Sequence, residues 1–319
     1  MSRRTILIIR WTVFLLASGF LYLRLSTHGD AQGFAEVLSD RDQALLLATL
    51  SGVLVLTLLN WGLEAAKWRL LMRDVERISI GKAFVATIAG TSIGMITPNR
   101  VGEFVGRVLF LAPENRIPAS FATAVGSIAQ FVVTVVMGTL GLIALIITAR
   151  SEAVDPLGVA WIALCALVAV ASLLLYFNPD LLHKVIARIP IVRRWERHAA
   201  ALDRMGVDVL FRVLLYSTLR YVVFAIQFMI ILVVMADVPV LDSLFAIPVA
   251  FLFSTLIPTV MLTELGVRGT IAVALISPHL AQDKGVFLAS TALWVINIAL
   301  PALIGSLILL MARIRNARA

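Results

Sequence analysis

The amino-acid sequence predicts an all-α polytopic membrane protein, with six full spans and two re-entrant helical hairpins in an inverted-topology repeat. The first observation behind this prediction is composition: of 319 residues, 61% are hydrophobic and only 14% are charged, with a mean hydropathy of +0.99. Such a chain has too little polar surface to cover a water-soluble globule. The second is a set of six apolar runs, each at least as long as the roughly 20 residues needed to cross about 30 Å of hydrocarbon. The third is a pair of apolar regions interrupted by proline, glycine and charged residues.

The six apolar runs are the predicted spans. The first begins in a basic segment, as a signal peptide does, but no A-x-A-like cleavage site follows, so we expect a retained helix. The third is long for one helix and is expected to tilt within the bilayer or to extend beyond it. The predicted spans cover residues 5–25, 43–66, 118–149, 158–177, 209–236 and 286–312.

Two other apolar regions, 83–111 and 243–277, contain breaks that a continuous lipid-facing helix would not favour. Each is either one kinked span or a hairpin of two half-helices. The basic loops distinguish these alternatives, because Lys and Arg accumulate on the cytoplasmic side. If both regions are hairpins, the N-terminus, the loops 67–82 and 178–208 and the C-terminal tail all lie on one side. A single crossing by the first region would instead place the strongly basic 178–208 loop outside.

The charge bias therefore favours two hairpins in a single transmembrane domain, residues 1–319, with both termini cytoplasmic in a bacterial inner membrane. The 178–208 segment has the spacing of an amphipathic interfacial helix, but a solvated cytoplasmic loop is the favoured interpretation. The order span, hairpin, span occurs in residues 43–149 and again in 209–312. The hairpins of these two copies enter the membrane from opposite faces. This inverted repeat is typical of transporters whose substrate site lies between broken helices near the bilayer midplane.

The two predicted hairpins share their chemistry. The first contains TPNRVGEFVGR and the second PTVMLTELGVRG, so each has a proline, then a glutamate, then an arginine four residues later. A spacing of four places Glu and Arg on one helical face, where they can form an ion pair. Arg100 precedes Glu103 by one turn, and a phosphate suits it because guanidinium groups hold phosphate oxygens bidentately. The matching triplets are Pro98, Glu103 and Arg107, and Pro258, Glu264 and Arg268.

Charged side chains in the middle of a membrane are expensive, and five of them would cost on the order of 10 kcal/mol if they were unpaired. We therefore expect them to face partners or water in a polar central cavity. The structural alternative is that closed Glu–Arg pairs only pin the hairpins. The substrate-binding candidates are Arg100, Glu103, Arg107, Glu264, Arg268, Asn60 and Arg220, and the candidate hairpin backbone positions are Pro98, Asn99, Gly102, Pro258 and Gly266.

Other polar residues in the predicted spans are weaker candidates. Asn60 and Glu64 lie near one face of the second span, where they are candidates for a headgroup entrance. Lys67 is equally well explained as an interfacial anchor. Gln130 and Asn297 are assigned to hydrogen bonds between helices.

The residue patterns needed for several other functions are missing from the sequence. The single cysteine, Cys165, lies in an apolar run, which excludes a disulfide framework. The four histidines have no metal-ligand spacing, and neither a phosphate-binding Gly-rich loop nor a G-x-S-x-G elbow occurs. The chain has a formal charge of +8, and its basic residues lie beside apolar runs. This arrangement is typical of topology signals rather than of nucleic-acid binding. We expect no metal, no cofactor, no enzyme activity and no nucleic-acid partner.

Three segments resemble the transmembrane region of lysylphosphatidylglycerol synthases, a family also described as flippase-like: NWGLEAAKWRLLMR, TPNRVGEFVGRVLFL and, late in the chain, TELGVRGTIAVAL. The resemblance extends over nearly the whole chain, and residues 98–107 are its central motif. The resemblance implies that, in relatives that also have a synthetase domain, the membrane region translocates aminoacylated phosphatidylglycerol. Here the chain ends at Ala319, so we expect a stand-alone member without aminoacyl transfer. Lys67 stands where the family pattern suggests an arginine. The resemblance implies that a lipid headgroup path is surrounded by Arg100, Glu103, Arg107, Glu264 and Arg268.

The sequence thus predicts a transporter that moves a phospholipid or another phosphate-bearing lipid headgroup across the inner membrane through a central charged cavity. The expected partners are membrane lipids: an anionic or aminoacylated phospholipid, or a polyprenyl-phosphate lipid, with a homo-oligomer left open. One alternative is a membrane enzyme acting on a lipid-linked phosphate or sugar, with Glu103 or Glu264 as general base, a role that the neighbouring arginines oppose. Another is a structural partner in a cell-envelope complex.

Overall fold

The structure, a computed structural model, describes residues 42–97, 100–148, 156–178, 205–257, 261–276 and 283–312, together with Ser39 and Leu181. Of residues 156–157, 242 and 261–265 it describes the backbone alone. This part of the chain is helical and contains no strand, as predicted. In chain order its helices are α1 (Gln43–Leu71), α2 (Ile80–Met95), α3 (Gly102–Val108), α4 (Arg116–Thr148), α5 (Pro156–Tyr176), α6 (Val207–Ala236), α7 (Val240–Leu256), α8 (Met261–Ile276), α9 (Asp283–Trp294) and α10 (Leu300–Met311), with a π-helical turn at Val295–Ala299 between the last two.

Five stretches within the described residues are long and apolar enough to cross a membrane: α1, α4, α5, α6, and α9 with α10. They correspond to five of the six predicted spans, whereas the first, 5–25, lies outside the described residues, as does most of the 178–208 loop. The surface of these helices is apolar; Leu47 and Val55 of α1, for example, are each 66% exposed. Large exposed apolar side chains along whole helices fit a lipid environment, so the chain is a multi-pass membrane protein.

The first interrupted region, predicted at 83–111, contains the two helices α2 and α3, and the described residues between them, 96–97 and 100–101, are called the tip. α2 begins after Ser79, whose side chain accepts a backbone N–H of the first turn at 3.2 Å. Beyond α2, the Thr97 hydroxyl accepts the N–H of Gly102 at 2.8 Å, which closes the tip before α3. At the tip Arg100 has a φ of 58°, a left-handed conformation that residues with a Cβ adopt rarely. Non-glycine residues in such a conformation cluster at functional sites, so the tip is a candidate part of one.

Glycine lets α2 and α3 pack backbone against backbone. A Cβ added to Gly106 would lie 2.6 Å from the Cα of Gly90, and one added to Gly90 would lie 2.7 Å from Cγ of Arg107. A Cβ on Gly94 would overlap the side chain of Glu103. Residue numbers fall along α2 as they rise along α3 at these contacts, so the two helices are antiparallel. This close approach determines where the Glu103 and Arg107 side chains lie.

The second interrupted region, predicted at 243–277, also consists of two helices in contact, α7 and α8. The break between them, including Pro258, lies outside the described residues. α7 packs along α4, where Gly138 leaves room for Leu252. The C-terminal end of α7 therefore lies beside the middle of α4.

Apolar clusters that contain a few polar bonds hold the long helices together. In one cluster, Trp68 of α1 donates its indole N–H to Thr123 Oγ1 of α4 at 2.9 Å. In a second, which joins α6 to α1 and α9, Gln227 Nε2 donates to the Val53 carbonyl at 3.0 Å and to Thr57 Oγ1 at 2.7 Å. These bonds hold α1 between α4 and α6, the three helices that position the candidate site.

A carboxylate outside the long helices fastens the loop after α1 to the start of α2 and to the loop after α3. Glu76 accepts hydrogen bonds from Lys82 Nζ at 2.8 Å, from the Ala112 N–H at 2.9 Å and from Asn115 Nδ2 at 3.1 Å. Partial burial raises the pKa of Glu76, but these hydrogen bonds lower it by more, so that the pKa lies below its ordinary value. The charged form of Glu76 thus holds the start of α2 close to the loop that follows α3.

We expect Glu76→Gln to destabilise the protein by about 1 kcal/mol at neutral pH, because it weakens charge-assisted hydrogen bonds. The effect is modest because the donor Lys82 is partly exposed to solvent. Since the folded-state pKa is lowered, the carboxylate contributes fully above its unfolded-state pKa of about 4.3. This contribution is lost as the pH falls through the lower folded-state pKa. Thermal unfolding in detergent should therefore separate the variant from the unaltered protein near pH 7 but not in strong acid. Glu114→Gln, at an exposed position, is the control, and a difference that does not change with pH would contradict the prediction.

Candidate functional site

Glu64, on the buried side of α1, is the centre of an ion-pair network. Its carboxylate lies 2.7 Å from Lys67 Nζ, 2.7 Å from Arg107 Nη1 and 2.8 Å from Arg220 Nη1. The three cations belong to α1, α3 and α6, so one carboxylate joins three helices that are distant in sequence. The Glu64 side chain is only 4% exposed, which shields these pairs from solvent.

Glu103 extends the network to the tip between α2 and α3. Its Oε2 lies 3.2 Å from Arg107 Nη2, and its Oε1 lies 3.3 Å from Arg100 Nε. The spacing of four residues between Glu103 and Arg107 thus brings them together on one face of α3, as the sequence predicts. Arg107 contacts two carboxylates at once and couples the short helix α3 to α1.

Lys67 is buried rather than interfacial, with 2% of the residue exposed. Besides its ion pair with Glu64, Nζ donates to the Gly126 carbonyl at 3.3 Å and to Ser217 Oγ at 3.4 Å. The interpretation of Lys67 as an interfacial anchor is therefore wrong. The signal in the sequence was the carboxylate three residues earlier, because Glu and Lys at this spacing share a helical face.

A cavity of about 190 Å³ lies beside the network. It is near the middle of the long helices, since Gln130 and Arg220 lie close to the midpoints of α4 and α6, and Asn297 lies between α9 and α10. Three arginines line it: Arg100 from the tip before α3, Arg220 from α6 and Arg268 from α8. The amide and hydroxyl side chains in its lining are Asn60, Gln130, Thr134, Tyr221, Ser254, Thr255 and Asn297.

Arg220 links the ion-pair network to the cavity. One of its terminal nitrogens contacts Glu64, and the guanidinium group lies over the Trp61 ring, 5.4 Å from the ring centroid. Its Nε has no hydrogen-bond partner within the described residues. An acceptor in the cavity can therefore bind Arg220 while Glu64 still holds it in place.

Four other side chains of the lining have unused hydrogen-bonding capacity. The buried atoms Asn60 Oδ1, Trp61 Nε1, Gln130 Oε1 and Tyr221 OH find no partner in the part of the chain that the structure describes. Leaving a buried polar group unsatisfied costs about 1–3 kcal/mol. Native proteins usually satisfy such groups with ordered water, ions or ligands. Their concentration around one cavity indicates a site that holds water or a ligand.

The side of the cavity next to α7 is aromatic. The Phe251 ring packs against the rings of Tyr221, Phe224 and Phe228, with centroids 5.7, 5.1 and 5.9 Å away. A second, much smaller cavity of about 20 Å³ adjoins the first and shares Phe224, Phe251 and Arg268 with it. The lining therefore combines arginines with an aromatic surface, which suits an amphipathic ligand.

The π-helical turn at Val295–Ala299 places a polar side chain at this site. Asn297 is buried, lines the cavity and accepts a hydrogen bond from Asn60 Nδ2 at 3.3 Å. Turns of this kind are rare and occur often at functional sites. The assignment of Asn297 to a hydrogen bond between helices is confirmed, and Gln130, which has the same assignment, lines the cavity.

Positive charge exceeds negative charge in the network and the cavity lining. Glu264 lies one turn before Arg268 in α8, and only its backbone is described. Even with Glu264 counted, formal charge leaves two more cations than carboxylates. Such an excess in a site of low dielectric constant attracts an anion. Within the described residues no group of three or more His, Cys, Asp or Glu side chains is placed to hold a metal ion. The cations are Lys67, Arg100, Arg107, Arg220 and Arg268, and the carboxylates are Glu64, Glu103 and Glu264.

Of the substrate-binding candidates predicted from sequence, Asn60, Arg100, Arg220 and Arg268 line the cavity. Glu103 and Arg107 belong to the adjoining ion-pair network instead. The predicted pairing of Glu264 with Arg268 stays a prediction. Of the hairpin backbone positions, Gly102 packs against the Ile93 carbonyl and Gly266 lies in α8. The others, Pro98, Asn99 and Pro258, lie outside the described residues.

Sequence reasoning missed the centre of the network and most of the uncharged lining. Glu64 was considered only for a headgroup entrance, although a carboxylate inside an apolar run is itself a signal of a buried partner. Gln130, an amide in the middle of a long apolar run, gave a weaker signal of the same kind. Trp61, Tyr221 and Phe251 gave none, because aromatic residues occur throughout membrane helices for reasons of packing.

Comparison with known proteins agrees with a helical membrane architecture. The model of a family described as the lysylphosphatidylglycerol synthase TM region matches residues 7–305. No curated protein and no solved structure matches the chain. The family match includes both interrupted regions and every residue that lines the cavity. Because it covers most of the sequence, the chain belongs to the lysylphosphatidylglycerol synthase TM region family.

Proposed function

We propose that this protein is a lipid transporter, which moves a phospholipid or another phosphate-bearing lipid headgroup across the bacterial inner membrane. The proposal depends on one observation, a cavity lined by Arg100, Arg220 and Arg268 near the middle of the long helices. Guanidinium groups bind phosphate oxygens through paired, charge-assisted hydrogen bonds. Ionisable groups at this depth are costly, and they usually belong to a substrate pathway. Membership of a family named for the membrane region of a lipid synthase supports a lipid-related role.

In the proposed topology, α2 with α3 and α7 with α8 are re-entrant hairpins. At about 1.5 Å per residue, the 16 residues of α2 extend about 24 Å, less than the roughly 30 Å of hydrocarbon. The 17 residues of α7 and the 16 of α8 are similarly short. With six spans, these hairpins form inverted repeats over 43–149 and 209–312, and the basic loops favour a cytoplasmic location for both termini.

In the proposed mechanism only the headgroup enters the protein. Arg220 and Arg268 bind the phosphate, while the acyl or polyprenyl chains remain in the bilayer beside the aromatic side at Phe224 and Phe251. Glu64 keeps Arg220 oriented through their 2.8 Å ion pair. Rocking of the two repeats then exposes the cavity to each face of the membrane in turn.

We propose that the protein catalyses no chemical step on the lipid. A general base needs a carboxylate that is near the scissile bond and able to accept a proton. Glu64 contacts three cations and Glu103 contacts two, so both carboxylates are engaged as counter-ions. Those contacts oppose Glu64 and Glu103 as general bases, and so they favour transport over an enzyme that uses either of them.

The proposal predicts that Arg220→Ala slows lipid translocation at least about tenfold, because a hydrogen bond between charged groups contributes about 1.5–3 kcal/mol. The measurement uses purified protein in liposomes that contain a fluorescent phospholipid with a net negative charge. Arg73→Ala is the matched control, since Arg73 is half-exposed and contacts its neighbour Asp74 at 3.4 Å. Glu64 retains two cations when Arg220 is removed, so we expect the variant to remain folded.

Three results would count against the transport proposal. Translocation at the same rate in Arg220→Ala and Arg73→Ala would show that Arg220 does not bind the moving lipid. Chemical conversion of the lipid, detected by mass spectrometry, would favour an enzyme. The absence of translocation by the unaltered protein with any phosphate-bearing lipid would leave a structural role.

A further inference from the structure

We infer that Pro301 is a positioning residue of the cavity. It holds the π-helical turn at Val295–Ala299, and this turn places Asn297 in the cavity lining while α10 keeps its packing against α2. Pro301 itself lies outside the described lining. The consequence of this role for translocation rests on the proposed transport function, whereas its consequence for the rotation of α10 relative to α9 does not.

The π-helical turn joins two half-spans that pack against different partners. α9 packs against α6 and α8, and a Cβ added to Gly285 of α9 would lie 3.0 Å from the nearest Cα of α6. α10 packs against α2, where Ser92 Oγ donates to the Ala302 carbonyl at 2.6 Å. A Cβ on Gly305 of α10 would overlap the Ile88 carbonyl of α2. Both half-spans are in close backbone contact with their neighbours, so neither can rotate without losing its packing.

The exposed stripe along this span indicates that the turn accommodates one extra residue. On α10 the stripe recurs every three or four residues, as on a regular helix. Continued at that spacing into α9, it would fall on Ile296 or Asn297 and on Leu293, all of which are buried. Continued with one more residue in the turn, it falls on partly or fully exposed positions instead. The stripe on α10 is Leu300, Ile304, Leu307 and Met311, and its continuation is Val295, Thr291, Phe287 and Lys284.

The backbone hydrogen bonds of the turn agree with the extra residue. The Leu300 N–H donates to the carbonyl of Val295, five residues earlier, whereas in an α-helix it would donate to the residue four earlier. Each residue of a regular helix adds about 100° of rotation. Without the turn, α10 would therefore be rotated by about 100° relative to α9. Either Asn297 would then leave the cavity or α10 would lose its packing against α2.

Pro301 explains why the turn lies at this point of the span. In a regular α-helix the N–H of residue 301 would donate to the Asn297 carbonyl, but proline has no N–H and its ring would clash with that carbonyl. A regular helix through residues 297–301 is therefore disfavoured, and the π-helical turn lies directly before the proline. Pro301 thus acts through Asn297, whose side chain lines the cavity and accepts a hydrogen bond from Asn60 Nδ2 at 3.3 Å.

Replacing Pro301 with alanine tests the inference, because alanine restores the N–H and favours a regular α-helix. The measurement is translocation of a fluorescent phospholipid with a net negative charge, by the purified protein in liposomes. We expect Pro301→Ala to slow it at least about tenfold, since misplacement by about 1 Å at a site can cost about a hundredfold. Pro248→Ala is the matched control. Pro248 lies inside α7, which is a continuous α-helix, so this variant should translocate the lipid at about the unaltered rate.

Deleting Ala299 from the Pro301→Ala variant distinguishes an error of rotation from a general loss of stability. The deletion removes the extra residue, so a regular helix again brings Asn297 to the cavity and α10 to α2. We expect this combined variant to recover most of the lost translocation rate and to unfold at a higher temperature than Pro301→Ala. Inserting one alanine after Ala299 in Pro301→Ala is the control, since it rotates α10 further and should restore neither property.

The outcomes distinguish failure of the inference from failure of the proposed function. Translocation at the unaltered rate in Pro301→Ala would show that the proline does not hold the turn, and it would overturn the inference while lipid transport stands. A combined variant that is more stable than Pro301→Ala but still inactive would also overturn it, because transport would then need the turn itself rather than the position of Asn297. If the unaltered protein moves no lipid, the proposed function fails, and the unfolding temperatures alone decide the inference. A combined variant that unfolds at a lower temperature than Pro301→Ala would contradict it.

Discussion

Replacing Glu64 with glutamine is expected to lower the free energy of unfolding by about 3–5 kcal/mol, the usual effect of removing one partner from a buried ion pair. The large effect follows from the position of Glu64, whose carboxylate contacts Lys67, Arg107 and Arg220 at 2.7–2.8 Å. Without it, three cations remain within one buried cluster and only Arg107 keeps an ion pair with Glu103. Thermal unfolding of the purified protein in detergent measures the change.

Two further variants make the prediction specific to the buried cluster. Asp74→Asn removes a carboxylate from an exposed ion pair and should change the free energy of unfolding by less than about 1 kcal/mol. Adding Lys67→Met to Glu64→Gln removes one of the three cations, so the double variant should be more stable than Glu64→Gln alone. A loss below about 1 kcal/mol in Glu64→Gln would mean that the cluster does not hold the helices together.

Replacing Gly106 with alanine is expected to destabilise the protein by at least about 1–3 kcal/mol, the usual effect of overpacking. The added Cβ would lie 2.6 Å from the Cα of Gly90 and 3.3 Å from the Ala89 carbonyl oxygen, so the backbones of α2 and α3 must separate. That separation moves Arg107, the next residue, away from its 2.7 Å contact with Glu64. We expect lipid translocation to be lost along with stability, because the tip that bears Arg100 moves as well.

Gly62→Ala is the matched control for this experiment. Gly62 lies in α1, and a Cβ built on it has no atom within 4 Å outside its own helix backbone. Alanine has the higher helix propensity, so this variant should be as stable as the unaltered protein or slightly more stable. If Gly106→Ala and Gly62→Ala unfold at the same temperature, the close packing of α2 on α3 does not determine the site.

The roles of Glu64 and Gly106 explain why the candidate site was only partly predictable. Arg100, Arg220 and Arg268 were identified as cavity residues because charge inside an apolar run is rare and needs a partner. The Glu103–Arg107 pair follows from helical spacing alone. Neither argument predicts contacts between helices, because spacing along one helix does not determine which of its faces packs against a neighbouring helix.

Sequence by itself determined that this is an all-helical membrane protein and which segments are long enough to cross the bilayer. It also located the two apolar regions that proline, glycine and charged residues interrupt. The reason is that hydrocarbon offers no hydrogen bonds, so the backbone must satisfy its own polar groups, and apolar length alone then predicts a helix. Only the tertiary structure decided that Glu64 meets Arg107 and Arg220, which are 43 and 156 residues away. Those pairs depend on the depth and rotation at which α1, α3 and α6 pack, and this register arises from glycine contacts and side-chain shapes that act only once the helices are together.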